Sequence, residues 1–507
     1  MSIPPQAVAP GQAHQVTVEK LTFGGSGLTH IGTLPVFIPD SIPGQTVEIV
    51  ITKLKDSYAE EKVRKVVRKA KEEIPPRCPH FHDCGGCAWQ NLPYDKQIAY
   101  KEDIVRETLL HLTPLGEAER KNLPGRVLNI VPSPQVFHYR NKMELSFGYE
   151  SMRTEENNGR RIHLDENPTI GFHRPGQWST VLPVSECHLY DEQLPTLLGT
   201  VRRFMEETKL PVYNPKTQKG MLRTLLLRRG VHTEEQMICF LLQARKKDLE
   251  PLFQTFIRHF AGRPNLASLL VVEHMGLHDR PDFPKIHTLY GKNTVTERLF
   301  DLSFDISPFS FFQTNTLGAE KLYRSIADAA ELTLRDTVLD AYCGMGTIGQ
   351  YLARFCQKVV GVESHPSAIE DALKSAGKNR IGNISFYKGK VEQVMQQQLK
   401  AGGKYSFTAI VVDPPAPAST PPHGTRSSRT RRTRSSTSPA TRPPSPATWR
   451  SSSRRGTSCA PSSPWICSRI RRISRPWRCC SEDRVWRDAD DSEDSDDVCF
   501  CKLSACS

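Results

Sequence analysis

Three patterns of apolar and polar positions divide the chain. In the first, Leu21-Thr-Phe-Gly-Gly-Ser-Gly-Leu, Val36-Phe-Ile-Pro, Ile42-Pro-Gly-Gln-Thr-Val and a run reaching Asp56-Ser-Tyr-Ala alternate in character, with Gly or Pro at the turns. Alternation places one face of each strand inside, so this stretch predicts a small five-stranded β-barrel. Many such barrels bind no nucleic acid. In the second, Leu317, Leu322 and Ile326 recur at helical spacing after Ile306-Ser-Pro-Phe-Ser-Phe-Phe-Gln-Thr-Asn. The phenylalanines there predict core, and Gln313 stands out as a neutral amide. In the third, buried strands end in turns and helices: Val338-Leu-Asp-Ala, Lys358-Val-Val-Gly-Val-Glu, Ile384-Ser-Phe-Tyr and Thr408-Ala-Ile-Val-Val. That order predicts a parallel α/β sheet. No apolar run is long enough to cross a bilayer.

The third pattern carries candidate chemistry. After its first strand comes Tyr342-Cys-Gly-Met-Gly-Thr-Ile-Gly349, whose glycines let the backbone approach a ligand at the head of the sheet. NAD, FAD and S-adenosylmethionine all use such turns. The next strand ends in Glu363, placed to hold ribose hydroxyls, and the last runs into Asp413-Pro-Pro, where prolines fix a loop whose carbonyls and acid face a ligand. This sequence of features favours the sulfonium donor over NAD. Gln313 could bond the donor's amino-acid end or a base.

Cysteine spacing adds a second candidate. Cys78-Pro-His-Phe-His-Asp-Cys84-Gly-Gly-Cys87 has the C-x5-C-x2-C form, and Cys187 lies a hundred residues on. Four thiolates suit zinc or an iron–sulfur cluster. Zinc usually takes two C-x2-C pairs and here there is one, which favours the cluster. The alternative is a set of unrelated buried thiols. Nothing at the N-terminus resembles a signal peptide, so reduced thiols and a cytoplasmic location are expected.

Length and charge bound the rest. A chain of 507 residues should divide into two to four domains. Its net charge of +13 is misleading, because Ala416 to Cys480 holds 14 arginines with no lysine or acid. Ser481 to Ser507 carries nine acids and three bases, leaving only about +5 for Met1 to Pro415. Global charge is therefore not evidence for RNA binding. Seven of the 14 cysteines also fall in the last 92 residues. One account is a disordered low-complexity tail, its acidic end from Asp488 to Asp497 included. The genetic code offers another. One restored base ahead of Ala416 allows Arg-Ala-Gly-Leu-Asp-Pro; the run from Thr437 then allows Tyr-Val-Ser-Cys-Asn-Pro-Ala, and that from Trp465 allows Val-Asp-Met-Phe-Pro-His-Thr-Pro-His-Ile-Glu-Ala. A frameshift near Pro415 is the preferred reading.

With these residues in view, the chain resembles the RNA (uracil-C5)-methyltransferase family, in the iron–sulfur and TRAM-domain type acting on 23S ribosomal RNA. The likeness runs over most of His14 to Pro415. It includes Trp89-Gln90, Tyr94-Asp-Lys-Gln97, Tyr139-Arg-Asn-Lys-Met-Glu-Leu-Ser-Phe147, Ile170-Gly-Phe-His-Arg and Leu222-Arg-Thr-Leu-Leu-Leu-Arg228. It implies a multi-domain fold: an OB-like TRAM barrel over 10–72, a central α+β RNA-binding domain over 73–300, and a Rossmann-like methyltransferase domain over 301–415, truncated before the frameshifted tail 416–507. It implies that Cys78, Cys84, Cys87 and Cys187 hold a [4Fe-4S] cluster, and that Gln313, Tyr342, Thr347, Glu363 and Asp413 bind S-adenosylmethionine. Thr347 stands where the family has asparagine, and Lys390 where an adenine-binding acid is expected. Basic and aromatic residues of the central domain would contact RNA, although for any single Arg or Lys solvated surface is the favoured reading. A monomer acting on ribosomal RNA, away from membranes, is expected.

The resemblance also implies a mechanism. Carbon 5 of uracil is a weak nucleophile, so a cysteine thiolate first adds to carbon 6, and the resulting enolate takes the methyl group. A base then removes the carbon-5 proton and the thiolate leaves. The target must be splayed out of its stack. The nucleophile belongs to a Ser-Cys-Asn-Pro motif and the base is a late glutamate; neither is present as an amino acid here, and both return in the hidden frame. Cys343 sits in the donor turn and is no substitute. The expectation is RNA binding, and donor binding, without turnover. Competing readings are transfer RNA as target, a non-catalytic RNA-binding iron–sulfur protein, and a zinc protein.

Overall fold

The computed structural model describes residues 8–112, 116–157, 160–175, 177–276, 285–400, 406–413, 466–472 and 498–502. The N-terminal alternation becomes strands β1 (Ala13–Thr17), β2 (Lys20–Leu21), β3 (Gly27–Ile31), β4 (Leu34–Ile38), β5 (Thr46–Leu54) and β6 (Ala59–Arg68). They form one sheet in the order β1-β5-β6-β4-β3-β2. There are six strands where five were expected, the extra one being the two-residue β2. Val36, Ile38, Val47, Ile49 and Ile51 turn inward and are essentially inaccessible to water. Helix α1 (Tyr94–Leu112) is tied to this unit by a shared apolar cluster of Leu21, Ile42, Leu92 and Ile104. A second short helix, α2 (Glu117–Arg126), follows.

The central region is a mixed sheet with both faces covered. Its strands are β7 (Lys142–Asn157), β8 (Arg160–Arg174), β9 (Gln177–Pro183), β10 (Leu222–Arg229), β11 (Gln236–Leu242), β12 (Leu266–Glu273) and β13 (Lys285–Gly291). They lie in the order β13-β12-β11-β10-β7-β8-β9. Helices α3 (Leu194–Thr208), α4 (Lys246–Leu249) and α5 (Phe253–Phe260) are inserted between them. The period of two sorts the side chains: Leu225, Leu227, Ile238 and Phe240 point to one face, where α3 and α5 supply Phe204, Phe256 and Phe260. Leu226, Met237, Cys239 and Leu241 point to the other, into the C-terminal unit. This two-sided burial is why β10 and β11 read as near-continuous apolar runs.

The C-terminal unit opens with the hairpin β14 (Val295–Leu299) and β15 (Leu302–Ile306), so the expected border at residue 300 falls in its turn. Then come α6 (Thr316–Ala330), β16 (Thr337–Ala341), α7 (Thr347–Leu352), β17 (Lys358–Glu363), α8 (Pro366–Lys378), β18 (Ile384–Lys388), α9 (Val391–Lys400) and β19 (Ala409–Val412). β18, β17, β16 and β19 are mutually parallel, as the alternating strand–helix order predicted. Two short segments, β20 (Ile466–Arg472) and β21 (Val498–Lys502), continue the sheet beside β19. The remainder of 416–507, and with it the expectation of a disordered tail, lies outside the described residues. Among the described residues no helix is long and apolar enough to cross a membrane.

Two local expectations need correction. Phe312 is core, but Phe311 is 66% exposed, because the loop before α6 turns it outward. Arg228, expected at the solvated surface or against RNA, is 2% exposed and bonded to main-chain carbonyls.

The aromatic pack around Phe240, which touches Phe147, Phe204, Phe256 and Phe260, dominates one face of the central sheet. Phe240→Ala is expected to cost about 3–5 kcal/mol, read as a lowered urea midpoint. An unchanged midpoint contradicts this packing.

Candidate active site

The turn between β16 and α7 is shaped by one buried carboxylate. Asp340 is inaccessible to water, and its Oδ2 accepts the Gly349 N–H at 2.8 Å, closing the loop from strand to helix. A Cβ on Gly349 would stand 2.7 Å from that oxygen, so only glycine fits there. Tyr342 and Gly346 both adopt positive φ, of 61° and 71°, and a β-carbon at Gly346 would also run into the Phe386 ring. For a tyrosine this backbone is uncommon and marks a constrained turn. Burial pushes the Asp340 carboxyl up to about 7, and the negative charges of Asp413 and Glu363 add to the effect. Three carboxylates therefore converge on the turn, a field that suits a cationic ligand.

Each residue expected to bind the donor has a definite place around this turn. Glu363, ending β17, takes the Gly344 N–H at 3.2 Å on one oxygen and the His365 N–H at 2.7 Å on the other. A carboxylate has about four acceptor sites, so capacity remains for ligand hydroxyls. Gln313 Nε2 donates to Asp413 Oδ2 at 3.4 Å, joining the loop before α6 to the end of β19. Tyr342 donates its O–H to Glu392 Oε1 at 2.8 Å; burial, then that bond and its charge, raises the phenol to about 12. Thr347 is drawn the other way, its hydroxyl 2.7 Å from the buried Tyr323 hydroxyl on α6. Asp340, Glu392 and Phe386 were not legible as site residues in the sequence. A carboxylate inside the apolar run Val338-Leu-Asp-Ala was the one available signal. Cys343 lies beneath the turn, its thiol pushed well up by burial.

The cysteines form a separate cluster next to Tyr139. Gly85 at φ 67° turns the loop, bringing Cys84 and Cys87 round towards Cys78. Burial raises all four thiols, Cys87 to about 11, and each of Cys84, Cys87 and Cys187 also feels the charge of another member. Opposing this, N–H groups of His80 and Phe81 face Cys78, that of Gly86 faces Cys84, and those of Leu189 and Tyr190 face Cys187. Gln90 Nε2 donates to the Cys87 sulfur at 3.2 Å. Such donors suit thiolates held in a metal centre. Among the described residues, however, no three His, Cys, Asp or Glu side chains are gathered at metal-ligating geometry.

Comparison with known proteins follows the same layout. The TRAM domain family matches residues 8–62, and a methyltransferase domain family matches residues 333–413. The chain is 32% identical over 412 residues to an uncharacterized RNA methyltransferase of Clostridium tetani, covering 81% of this chain and 85% of the relative. A relative of the same description from Bacteroides thetaiotaomicron is 32% identical over 393 residues, covering 77% and 84%. Among solved structures, the tRNA (uracil-54, C5)-methyltransferase of Pyrococcus abyssi in complex with S-adenosyl-L-homocysteine superposes with a TM-score of 0.59. It is 26% identical, covering 79% of this chain and 84% of that one.

Asp340 gives a pH prediction. Its carboxyl holds the proton more tightly folded than unfolded, so the stability it contributes is complete below about pH 4. That contribution is lost as pH rises through about 7. Urea midpoints should fall across this window by the equivalent of up to ~4 kcal/mol, and Asp340→Asn should flatten the fall. Parallel profiles for the two proteins contradict the assignment.

Proposed function

The chain belongs to the TRAM-bearing, S-adenosylmethionine-dependent RNA methyltransferases, and from that premise we propose that its target is carbon 5 of a uridine in 23S ribosomal RNA. The observation that carries the donor half is the convergence of Asp340, Glu363 and Asp413 on one glycine turn. When bound, S-adenosylmethionine supplies an electrophilic methyl group on a positively charged sulfur. Glu363 would accept ribose hydroxyls, and Tyr342, Asp413 and Gln313 would hold the rest of the donor. Phe311, two-thirds exposed in the same loop as Gln313, offers an aromatic face to a base lifted from its stack. Thr347, tied to Tyr323, steadies the turn from behind.

Cys78, Cys84, Cys87 and Cys187 would hold a [4Fe-4S] cluster by donor chemistry: four thiols, each met by an N–H group, three of which also feel the charge of another member. When bound, it supplies cross-links between the loop 78–87 and Cys187. No electron enters methyl transfer, so its role is structural. The TRAM-like sheet together with these thiols supports ribosomal RNA. A second reading, transfer RNA, is favoured by the likeness to the Pyrococcus abyssi enzyme.

This copy of the enzyme does not turn over, because its nucleophilic cysteine and proton-accepting glutamate lie in the displaced frame after Pro415. The purified chain should form no 5-methyluridine, whereas a gene with one base restored ahead of Ala416 should yield S-adenosylmethionine-dependent product in ribosomal RNA. Turnover by the unaltered chain refutes the frameshift account, and product confined to transfer RNA selects the second reading. Anaerobically purified chain should contain iron that is lost in Cys87→Ser; zinc in its place overturns the cluster.

A further inference from the structure

The loop that carries Gln313 is held by the central domain. Asn141, immediately before β7, is 2% exposed. Its main-chain N–H donates to Thr314 O at 2.8 Å, and its carbonyl accepts the Arg229 N–H at 2.9 Å. The side-chain amide divides its two hydrogens, giving one to Gln313 O at 2.8 Å and one to Thr316 Oγ1 at 3.0 Å. Thr316 in turn donates to Glu297 Oε2 at 2.7 Å. Glu297 is wholly buried and also takes the N–H groups of Val231, His232 and Arg298. These four donors fill the acceptor positions of the Glu297 carboxylate and fix the direction of the relay from Asn141 through Thr316.

The polarity explains why asparagine stands here. The site needs two hydrogen-bond donors on one short side chain, where ionised aspartate supplies none and serine only a single O–H. Upstream, Arg228 donates to the carbonyls of Pro308 and Ser310, and the Ser310 hydroxyl donates to Asp371 Oδ2 at 2.5 Å. The strap 308–316 is thus pinned by main-chain bonds on both sides of Gln313. Gln313 then reaches Asp413. Two hydrogen bonds in series connect the central sheet to the acid ending β19.

We propose that Asn141 is a positioning residue for the donor site, fixing the Gln313 main chain so that its side-chain amide meets Asp413. It touches neither donor nor RNA in this role; it acts through Gln313. The proposal rests on the reading of Gln313 as part of the donor site.

The test is titration of the full chain with S-adenosylhomocysteine by calorimetry. Asn141→Leu, near the same size and uncharged, should weaken binding ~10-fold, the scale of one lost buried hydrogen bond. Gln313→Ala should weaken it similarly, and the double variant should bind no worse than either single one. A merely structural role would make the two losses multiply, and that result, or Asn141→Leu binding within about twofold of the unaltered chain, overturns the proposal. Urea midpoints identify loss of fold; if Asn141→Leu is unfolded, Asn141→Ser takes its place in the cycle, and the same two results overturn the proposal. No uptake by the unaltered chain overturns the donor-site reading itself and this inference with it, whereas uptake insensitive to Asn141 overturns the inference alone.

Discussion

A buried carboxylate with a single main-chain partner organises the catalytic half of this protein. The bond from the Gly349 N–H to Asp340 draws the start of α7 against the end of β16, and the intervening turn must then pass through positive φ at Tyr342, Gly344 and Gly346. That path brings the Gly344 N–H to Glu363 and sends the Tyr342 hydroxyl to Glu392. Burying a carboxylate is costly unless it is bonded or protonated. The raised Asp340 carboxyl is the measure of that cost, and the cation expected in the turn would offset it.

The second dependence is between domains. The central sheet is not a separate body beside the methyltransferase unit, since Leu226, Met237, Cys239 and Leu241 from its far face share one apolar cluster with Phe304, Tyr323 and Leu352. Polar bonds add direction to that cluster. Asn141 and Arg228 address the loop before α6, where Gln313 and Phe311 lie, and Glu297 holds the first residue of α6. The central sheet and the glycine turn of the methyltransferase unit are thus held in register by the same few residues.

Much of this was legible in the residues. Glycine spacing from Gly344 to Gly349, Glu363 at a strand end and Asp413 before two prolines are local signals, and the structure arranges all of them around one turn. The strands were readable wherever periodicity was strong, as in β16 to β19. What was hidden depends on tertiary burial. Arg228 looks like any surface arginine until the loop at Pro308 closes over it, and Asp340 reads as an interruption in an apolar run until Gly349 meets it. Phe311 and Phe312 are neighbours of identical type, yet only the path of the backbone decides which one faces water. The spacing of the four cysteines suggested a shared centre, but the N–H groups that face them, from the loop 80–90 and from Leu189 and Tyr190, could not be read from it.

If the donor docks on the turn from Asp340 to Gly349, amide hydrogen exchange on the full chain will register it when S-adenosylhomocysteine is added. New protection should be concentrated at residues 342–347, at Glu363–His365 and around Gln313. Protection that leaves these three segments unchanged while appearing elsewhere is incompatible with docking on this turn.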